Sequence, residues 1–565
     1  MWIQNYDPRG SWPVSTLLAA LPVLTLLGLL VSGKVSAGKS ALAGLTLACV
    51  MAWGAFGMPL PMVLASAGVG MVFALFRIVW LIVAAVFLYD LAVATGQFEV
   101  MKRTIAGLSP DRRLQAVLVA FSFGAFIEGC AGFGAPVAIS AAFLVGLGFH
   151  PFQSALLCLI ANTAPVAWGS VGIPLRTLSV VTELDVEALS ATAGRILPIL
   201  SLLIPFWLVA VVAGLRATLA VWPPLLVIGG AFAAVQFLWS NYVGFELVDI
   251  ASAVASMIAG VVVLHVWKPR DVWRFEHDGD DDGSRGGRPA DGQVALSPRT
   301  IARAWMPFAL LTVMVLIWGL PAIKPLGTTA TKDWLDARWS WKPEVPVLHL
   351  QVAKGTAVTG RATPAPADLE KAVLDVVPLS ATGTAVFAAA VLSGLLLGVS
   401  PGSQARILGK TVVRMIPAIF AILCMLALGF VTKYSGMDAV LGLAFTRTGP
   451  LLYPIFGTLL GWLGVALTGS DTSSNVLFGN LQKITATKLG LDPILMAAAN
   501  STGGVMGKMI DAQSIVVAAA ATGEDGREGE ILRAVLRHSI ALVLMVGTIV
   551  WIYAHVTPWV VVAPR

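Results

Sequence analysis

Residues 123–140 read FGAFIEGCAGFGAPVAIS, and the rest of the chain is best interpreted outward from this stretch. It lies between apolar runs long enough to cross a bilayer, yet it contains four glycines, Pro136 and the carboxylate of Glu128. Glycine and proline leave backbone groups unpaired, which hydrocarbon tolerates only where protein or a wet cavity satisfies them. A carboxylate at this depth is costly unless it is neutralised or paired. The stretch therefore predicts a broken or re-entrant segment that lines a site. The alternative is a close helix crossing made by small residues, with Glu128 merely turned away from lipid.

The composition is that of a membrane protein. Of the 565 residues, 57% are hydrophobic and 12% are charged, and the mean hydropathy is +0.84. Soluble domains carry roughly twice this charged fraction. Apolar runs of spanning length recur along the sequence, which predicts an all-α polytopic membrane protein with about 12–14 spans. The first residues lack the cationic start and cleavage site of a secretory signal, so the first apolar run is expected to be a span.

The residue types that hold metals, cofactors or nucleic acids are not arranged for those tasks. The four cysteines, Cys49, Cys130, Cys158 and Cys424, lie in apolar segments without CxxC spacing, so neither disulfides nor metal ligands are expected. The six histidines are scattered, which argues against a metal centre. The net charge of +6 comes mostly from loops between spans. We therefore expect no cofactor and no nucleic-acid partner, and a lipid bilayer as the surroundings.

Charged loops indicate how the chain divides. Basic residues concentrate in residues 101–113 and 400–414, and the positive-inside rule places both loops in the cytoplasm. Residues 268–303 are polar and rich in glycine, aspartate and arginine, which is typical of a disordered linker. A single span after this linker places the next long loop outside. The predicted units are an N-terminal membrane half (1–266), a cytoplasmic linker (267–303), a connecting span (304–322), an extracytoplasmic loop (323–376) and a C-terminal membrane half (377–565).

Polar, glycine-rich regions recur in the same order in the two halves. The sequence Gly-Phe-His-Pro precedes Asn162, and Gly-Leu-Asp-Pro precedes Asn500. The glycine-to-asparagine spacing is 14 residues in the first (148 to 162) and 10 in the second (490 to 500), a difference of about one helical turn. Each region also follows another broken motif. Paired broken motifs predict two repeats, each with broken or re-entrant helices, that form a transporter core. The alternative is that the similarity between the two regions arose by chance in a chain rich in glycine and alanine.

These motifs combine groups that bind an anion with groups that carry a proton. The N-termini of half-helices present unpaired N–H groups and a positive dipole end, and Ser, Thr and Asn offer contacts to carboxylate and hydroxyl groups. Glu128 is the first candidate for the proton carrier, followed by Asp471 and Asp511. Lys508 is the first candidate for balancing a substrate carboxylate and Arg176 the second. The substrate-binding candidates are Gly129, Gly132, Gly134, Asn162, Thr163, Arg176, Ser470, Thr472, Ser473, Asn500, Ser501, Thr502 and Lys508.

Structural roles remain open for three of the charged residues. Asp471 has the position of a helix cap ahead of two serines. Lys508 and Asp511 are three residues apart and can pair on one helix face. By contrast, Glu246 and Asp249, between two plain spans, are expected at a membrane edge rather than in a site.

In its broken segments the chain resembles the lactate permease family. This resemblance implies a cytoplasmic-membrane symporter that imports L-lactate, D-lactate and glycolate with protons. Some positions depart from the family pattern, and the added Asp511 and the lost hydroxyl groups bear on the choice among these substrates. The departures are Cys130, Ala135, Trp168, Met506, Asp511 and Ala512, where Ala, Thr, Phe, Thr, Ser and Pro are expected. The matching stretches are FGAFIEGCAGFGAPVAI, GFHPFQSALLCLIANTAPVAWGSVGIP, TGSDTSSNVLFGNLQ and ANSTGGVMGKMIDAQSI.

Other functions remain to be weighed against proton symport. A sodium-coupled carboxylate symporter is possible on the residues alone, because hydroxyl groups and backbone carbonyls also bind sodium. A passive anion channel would use similar dipoles without coupling. A membrane-embedded enzyme would need a nucleophile with a base, or metal ligands, at membrane depth, and the histidines do not assemble one. We expect a transporter and not an enzyme, and the oligomeric state stays open.

Overall fold

The computed structural model describes residues 1–31, 35, 37–106, 108–130, 135–275, 297–319, 331–359, 363–374, 376–524 and 527–562. This part of the chain is almost entirely helical, which confirms the predicted all-α class. Its one sheet is a parallel pair of two-residue strands, β1 (Trp2–Ile3) and β2 (Val352–Ala353).

Helices of the N-terminal half are α1 (Trp12–Val31), α2 (Ala37–Gly54), α3 (Leu60–Phe73), α4 (Trp80–Ala94), α5 (Gln97–Ala106), α6 (Arg112–Ala116), α7 (Gly124–Cys130), α8 (Ala135–Gly146), α9 (Pro151–Ala161), α10 (Gly169–Thr182), α11 (Val186–Ala220), α12 (Trp222–Tyr242) and α13 (Val248–Val266). Those of the remainder are α14 (Pro298–Gly319), α15 (Thr331–Trp339), α16 (Thr356–Thr359), α17 (Thr382–Leu396), α18 (Pro401–Ser435), α19 (Met437–Phe445), α20 (Gly449–Thr468), α21 (Asp471–Leu489), α22 (Pro493–Gly507), α23 (Ala512–Thr522) and α24 (Glu528–His555).

Many of these helices are suited to a bilayer. Within the described ranges, 7 helices are long and apolar enough to span it, and the bent pair Pro151–Ala161 and Val166–Thr182 makes an eighth candidate. Four shorter apolar helices, Trp12–Leu26, Leu60–Phe76, Pro136–Gly146 and Gly383–Leu396, are also present. A polytopic membrane protein is therefore confirmed, and the figure of about 12–14 spans stays a prediction.

The long apolar run after residue 60 forms one continuous helical segment. It is helical from Leu60 to Ala94, with a π-helical segment, Ala74–Val79, joining α3 to α4. A second π-helical segment, Val117–Phe123, leads from α6 into α7. Such wide turns inside helices occur often at functional sites.

The long loop between the two halves folds against the N-terminus and the membrane core. Strand β2 of this loop pairs with β1, and Gln4 Nε2 donates to the Tyr434 carbonyl at 2.9 Å. The Tyr434 hydroxyl in turn donates to the carbonyl of Lys371 at 2.8 Å. The side of the membrane on which this loop lies stays a prediction. Most of the predicted linker, residues 276–296, lies outside the described residues, and its end differs from expectation because α14 begins at Pro298. A proline favours the first turn of a helix, where its missing N–H is not needed.

Two helical hairpins form the centre of the molecule. In the first, α7 and α8 lie on either side of residues 131–134, which are outside the described residues, and α9 and α10 flank a break; in the second, α20 and α21 flank a break and α22 and α23 flank another. The hairpins pack on each other reciprocally. Helix α10 of the first lies against α21 and α22 of the second, and α23 of the second lies against α8 and α9 of the first. This exchange supports the predicted repeat, which stays a prediction.

Candidate functional site

Glu128 lies near the end of α7. Helix α7 ends at Cys130 and α8 begins at Ala135, so Gly132 and Gly134 lie outside the described residues. Glu128 is only 4% exposed, and its Oε2 atom has no hydrogen-bond partner in the described part of the chain. Gly129 brings α7 against the start of α13, because a Cβ there would lie 2.8 Å from Ile250 Cγ1. A buried carboxylate with an unused oxygen is the first feature of the site.

A break separates α9 from α10, which are bent by 64° relative to each other. Ser170 (φ 47°), Val171 (φ 62°) and Gly172 (φ 79°) follow one another in the left-handed region. Gly172 is required there for a second reason, since a Cβ would lie 2.7 Å from the carbonyl oxygen of Phe245. Left-handed backbone at a serine and a β-branched valine is strained, and such strain clusters at functional sites. The structure thus contains the broken segment that the glycines and prolines predict.

Glu128 lies against the break between α9 and α10. A Cβ on Gly169 would lie 2.6 Å from Glu128 Oε1, so this glycine allows the carboxylate to touch this break. Asn162, at the end of α9, lies beside Glu128, but neither of its amide atoms makes a hydrogen bond within the described ranges. Thr163 instead donates its hydroxyl to the carbonyl of Ile160 at 2.8 Å. Of the two candidates, Asn162 is therefore the one with free bonding capacity.

Asp471 bonds to other residues within the second hairpin and does not cap its own helix. The cap of α21 is Ser470, whose hydroxyl accepts from the Ser473 backbone N–H at 3.3 Å. Asp471 Oδ2 accepts from the Ser501 hydroxyl at 2.5 Å and from Asn475 Nδ2 at 3.3 Å. The capping alternative for Asp471 is therefore wrong. Its carboxylate joins α21 to α22 across the hairpin.

A chain of amide groups continues from this carboxylate. Asn500 Nδ2 donates to Asn475 Oδ1 at 2.9 Å, and Gln482 Nε2 donates to Asn500 Oδ1 at 3.2 Å. Asn475 Nδ2 also reaches the carbonyl of Pro174 in α10 at 3.2 Å, which connects the two hairpins. Asn475 and Gln482 were not among the candidates. With Asp471 they sit at positions 471, 475 and 482 of α21, a helical spacing that would have placed all three on one face.

Lys508 connects the charged groups of both hairpins. Its ammonium donates to the Gly469 carbonyl at 2.6 Å and lies 3.1 Å from Asp511 Oδ2 as a buried ion pair, outside hydrogen-bond geometry. Glu128 and Asp471 are both within its electrostatic reach. The expected pairing with Asp511 is present, but not on a helix face. Lys508 lies in the 3₁₀ turn Lys508–Ile510, and Asp511 Oδ1 accepts from the Ser514 N–H at 2.7 Å ahead of α23.

The other candidates lie around this centre. Arg176 is half-buried on α10, with its guanidinium carbon 5.9 Å from the centre of the Phe245 ring. Ser473 donates to the Met425 sulfur at 2.9 Å, and Thr502 is close to its own helical carbonyl at Ala499, 3.5 Å away. Thr472 is half-buried, whereas Asn500, Ser501 and Thr502 are fully buried.

Asp249 is buried inside the protein, which the sequence did not signal. It was expected at a membrane edge, but it is 1% exposed in the first turn of α13, beside α7 and within electrostatic reach of Glu128. Both of its carboxylate oxygens lack a hydrogen-bond partner among the residues that the structure describes. The loop before α13 packs Phe245 against Gly172 and buries the start of α13, while the position at a membrane edge stays a prediction. Nothing in the spacing of the apolar runs signals this packing.

Two broken-helix hairpins meet around buried carboxylates, a buried lysine and an amide chain, and the body around them is apolar and helical. These features define a multi-pass membrane transporter. The chain belongs to the L-lactate permease family, whose model matches residues 15–557. It is therefore a permease of the inner membrane and not an enzyme.

Two relatives match over almost their whole length. The chain is 43% identical to the glycolate permease GlcA of Escherichia coli (strain K12), over 98% of each chain. It is 42% identical to the L-lactate permease of Bacillus subtilis (strain 168), over 99% of this chain and 100% of that one. Among solved structures, that of MtrF from Neisseria gonorrhoeae is 12% identical with a TM-score of 0.45, covering 86% of this chain and 83% of that one.

Proposed function

We propose that this permease imports small 2-hydroxy monocarboxylates (L-lactate, D-lactate and glycolate) by symport with protons. The observation that carries the proposal is the placement of the Lys508 ammonium between the two hairpins, within reach of Glu128 and Asp471. The names of the two relatives, a glycolate permease and an L-lactate permease, support the same substrates.

Lys508 is the proposed counter-charge for the substrate carboxylate. An ammonium group has three donors, and the contacts to Gly469 and Asp511 occupy two directions. The third is available to an anion that enters between the breaks. Asn162, with both amide atoms unused, is the proposed partner for the 2-hydroxyl group, which both donates and accepts. Both contacts are common to lactate and glycolate, which differ by one methyl group.

Glu128 is the proposed proton carrier. One proton taken up with one monocarboxylate anion adds no net charge to a buried site, where an added charge is expensive. Glu128 and Asp471 each have one oxygen without a hydrogen-bond partner among the described residues, but the other oxygen of Asp471 accepts two hydrogen bonds that favour its ionised form. Asp511 already faces Lys508 and caps α23. We therefore rank Glu128 before Asp471, and Asp511 last.

The two membrane halves, residues 1–266 and 377–565, each supply one hairpin to this site. Reciprocal packing of α10 on α21 and of α23 on α8 and α9 couples the hairpins. Movement of the hairpins as one body against the surrounding helices would then expose the same site to either side, as alternating access requires. The linker, connecting span and extracytoplasmic loop would join the halves without lining the site.

The test is uptake of labelled lactate and glycolate by proteoliposomes under an inward proton gradient, without sodium. We expect accumulation above the outside concentration, which a protonophore abolishes and protein-free liposomes do not show. Because one proton moves with one anion, an imposed membrane potential of either sign should leave accumulation unchanged. Equilibration without accumulation would overturn proton symport. A sodium gradient added next would then separate sodium coupling, which restores accumulation, from a passive pore, which does not.

A further inference from the structure

Asp249 is a second buried acid beside the proposed proton carrier, and the roles assigned so far do not use it. It is the second residue of α13, and Gly129, the neighbour of Glu128, holds α7 against it. A Cβ on Gly129 would lie 3.0 Å from Asp249 Cβ. The first turn of α13 and the end of α7 are thus in direct contact through these two positions.

The surroundings of Asp249 offer no stabilisation for its charge. Neither carboxylate oxygen has a hydrogen-bond donor among the described residues. The titratable groups on α7 that face it are Glu128 and the Cys130 thiol, and neither is a cation. On α10, Arg176 directs its guanidinium over Phe245, which precedes α13. Of the two acids, Glu128 is the one with which Lys508 interacts electrostatically.

A purely structural role as a helix cap does not account for Asp249. An acidic residue in a first turn gains from the helix dipole, and a capping side chain accepts from the free N–H groups there. The oxygens of Asp249 accept no such bond in the described chain, and α13 has no side-chain cap at Leu247. The dipole alone is a weak compensation for a carboxylate removed from water.

We propose that Asp249 and Glu128 act as one carboxylate pair that carries a single proton in each transport cycle. This inference rests on the proposed proton symport. Two carboxylates close together in a low-dielectric site do not both stay ionised, so the pair holds one proton more readily than either acid alone. The balance is one proton bound from the outer solution with one monocarboxylate anion, and both released inside. No bond other than the O–H bond is made or broken.

The pair also explains how substrate and proton are coupled. With the site empty, the Lys508 ammonium attracts the negative charge of Glu128. A substrate carboxylate at Lys508 competes for that attraction, and the acid pair then gains by taking up a proton. Release of the substrate returns the ammonium to Glu128 and expels the proton. Coupling therefore requires only that the Lys508 ammonium pairs alternately with Glu128 and with the substrate carboxylate.

The test compares Asp249→Asn, Asp249→Glu and Glu246→Gln in proteoliposomes. Glu246→Gln is the matched control, since it removes a carboxylate three residues earlier, in the loop before α13, and should leave uptake unchanged. We expect Asp249→Asn to lose proton-driven accumulation while labelled lactate still exchanges with unlabelled lactate in the absence of a gradient. Asp249→Glu should keep accumulation with a displaced dependence on outside pH.

Several outcomes would contradict the proposal that Asp249 and Glu128 act as one carboxylate pair. Normal accumulation by Asp249→Asn would do so, as would equal loss of exchange and accumulation in both Asp249 variants. If Asp249→Asn is not recovered in the membrane, Asp249→Glu decides, and an unchanged pH profile rejects the pair. The double variant Glu128→Gln with Asp249→Asn should be no worse than the poorer single variant, because members of one unit are not additive. Failure of the wild-type protein to accumulate substrate would instead reject the proposed function itself.

Discussion

The ammonium of Lys508 donates to the carbonyl oxygen of Gly469 at 2.6 Å, which ties the end of α22 to the break between α20 and α21. The same ammonium faces Asp511 and lies within electrostatic reach of Glu128 in the other hairpin. One buried cation therefore contacts the break between α20 and α21 and the residue that precedes α23, and it acts electrostatically on Glu128. Substituting it should affect substrate binding more than any other single change.

We predict that Lys508→Ala raises the substrate concentration for half-maximal uptake by about ten- to a hundredfold. A hydrogen bond to a charged group contributes about 1.5–3 kcal/mol, which corresponds to this range. Lys508→Arg, which keeps the charge, should be less impaired. Lys488→Ala is the control, because it removes the same charge from an exposed position on α21. Initial rates at a series of lactate concentrations measure the effect, and an unchanged half-saturation value would remove Lys508 from the site.

Glu128→Gln is predicted to abolish pH-driven accumulation while leaving exchange of bound substrate partly intact. Glutamine has nearly the same shape but cannot carry the proton, so only the coupled step should fail. The measurement is uphill uptake compared with counterflow in the same proteoliposomes. Glu344→Gln, at an exposed position in the long loop, is the control. Uphill uptake at the wild-type level by Glu128→Gln would reject its role.

The broken segments could be predicted from sequence because their signals are local. Glycines and prolines inside an apolar run, as in residues 162–174, favour a backbone break. A helix that begins at proline, as α9 and α22 do, is a signal of the same kind. The family resemblance added the substrate class, which no spacing of residues contains.

The contacts between distant segments could not be predicted in this way. The position of Asp249 beside Glu128 depends on an inward fold of the loop before α13, and the link from Asn475 to Pro174 depends on how two hairpins dock. Both are tertiary relationships over more than a hundred residues of sequence. The same limit explains why Asp471 was open to a capping role until Ser470 was seen to fill it.

Close packing of α20 on α22 is predicted to be sensitive to one methyl group. A Cβ on Gly461 would lie 2.0 Å from the carbonyl oxygen of Asn500, which is backbone and cannot move aside alone. Gly461→Ala should therefore destabilise the protein by about 1–3 kcal/mol, the usual cost of overpacking. Gly409→Ala on α18 is the control, since its Cβ meets nothing within 4 Å. Thermal unfolding in detergent compares the two, and equal unfolding temperatures would contradict the close crossing.

The left-handed backbone in the first turn of α10 predicts opposite effects for two substitutions, one at Ser170 and one at Gly172. Ser170 has φ 47°, a conformation that costs a non-glycine residue roughly 1–2 kcal/mol, so Ser170→Gly should raise the thermal unfolding temperature. Gly172→Ala should lower it, because φ is 79° and a Cβ would lie 2.7 Å from the Phe245 carbonyl oxygen. If the strain also serves transport, the more stable Ser170→Gly protein should take up lactate more slowly. Unfolding and uptake measured on the same preparations decide both points. A Ser170→Gly protein that is less stable than the wild type would mean that the serine side chain, and not the backbone, determines this turn.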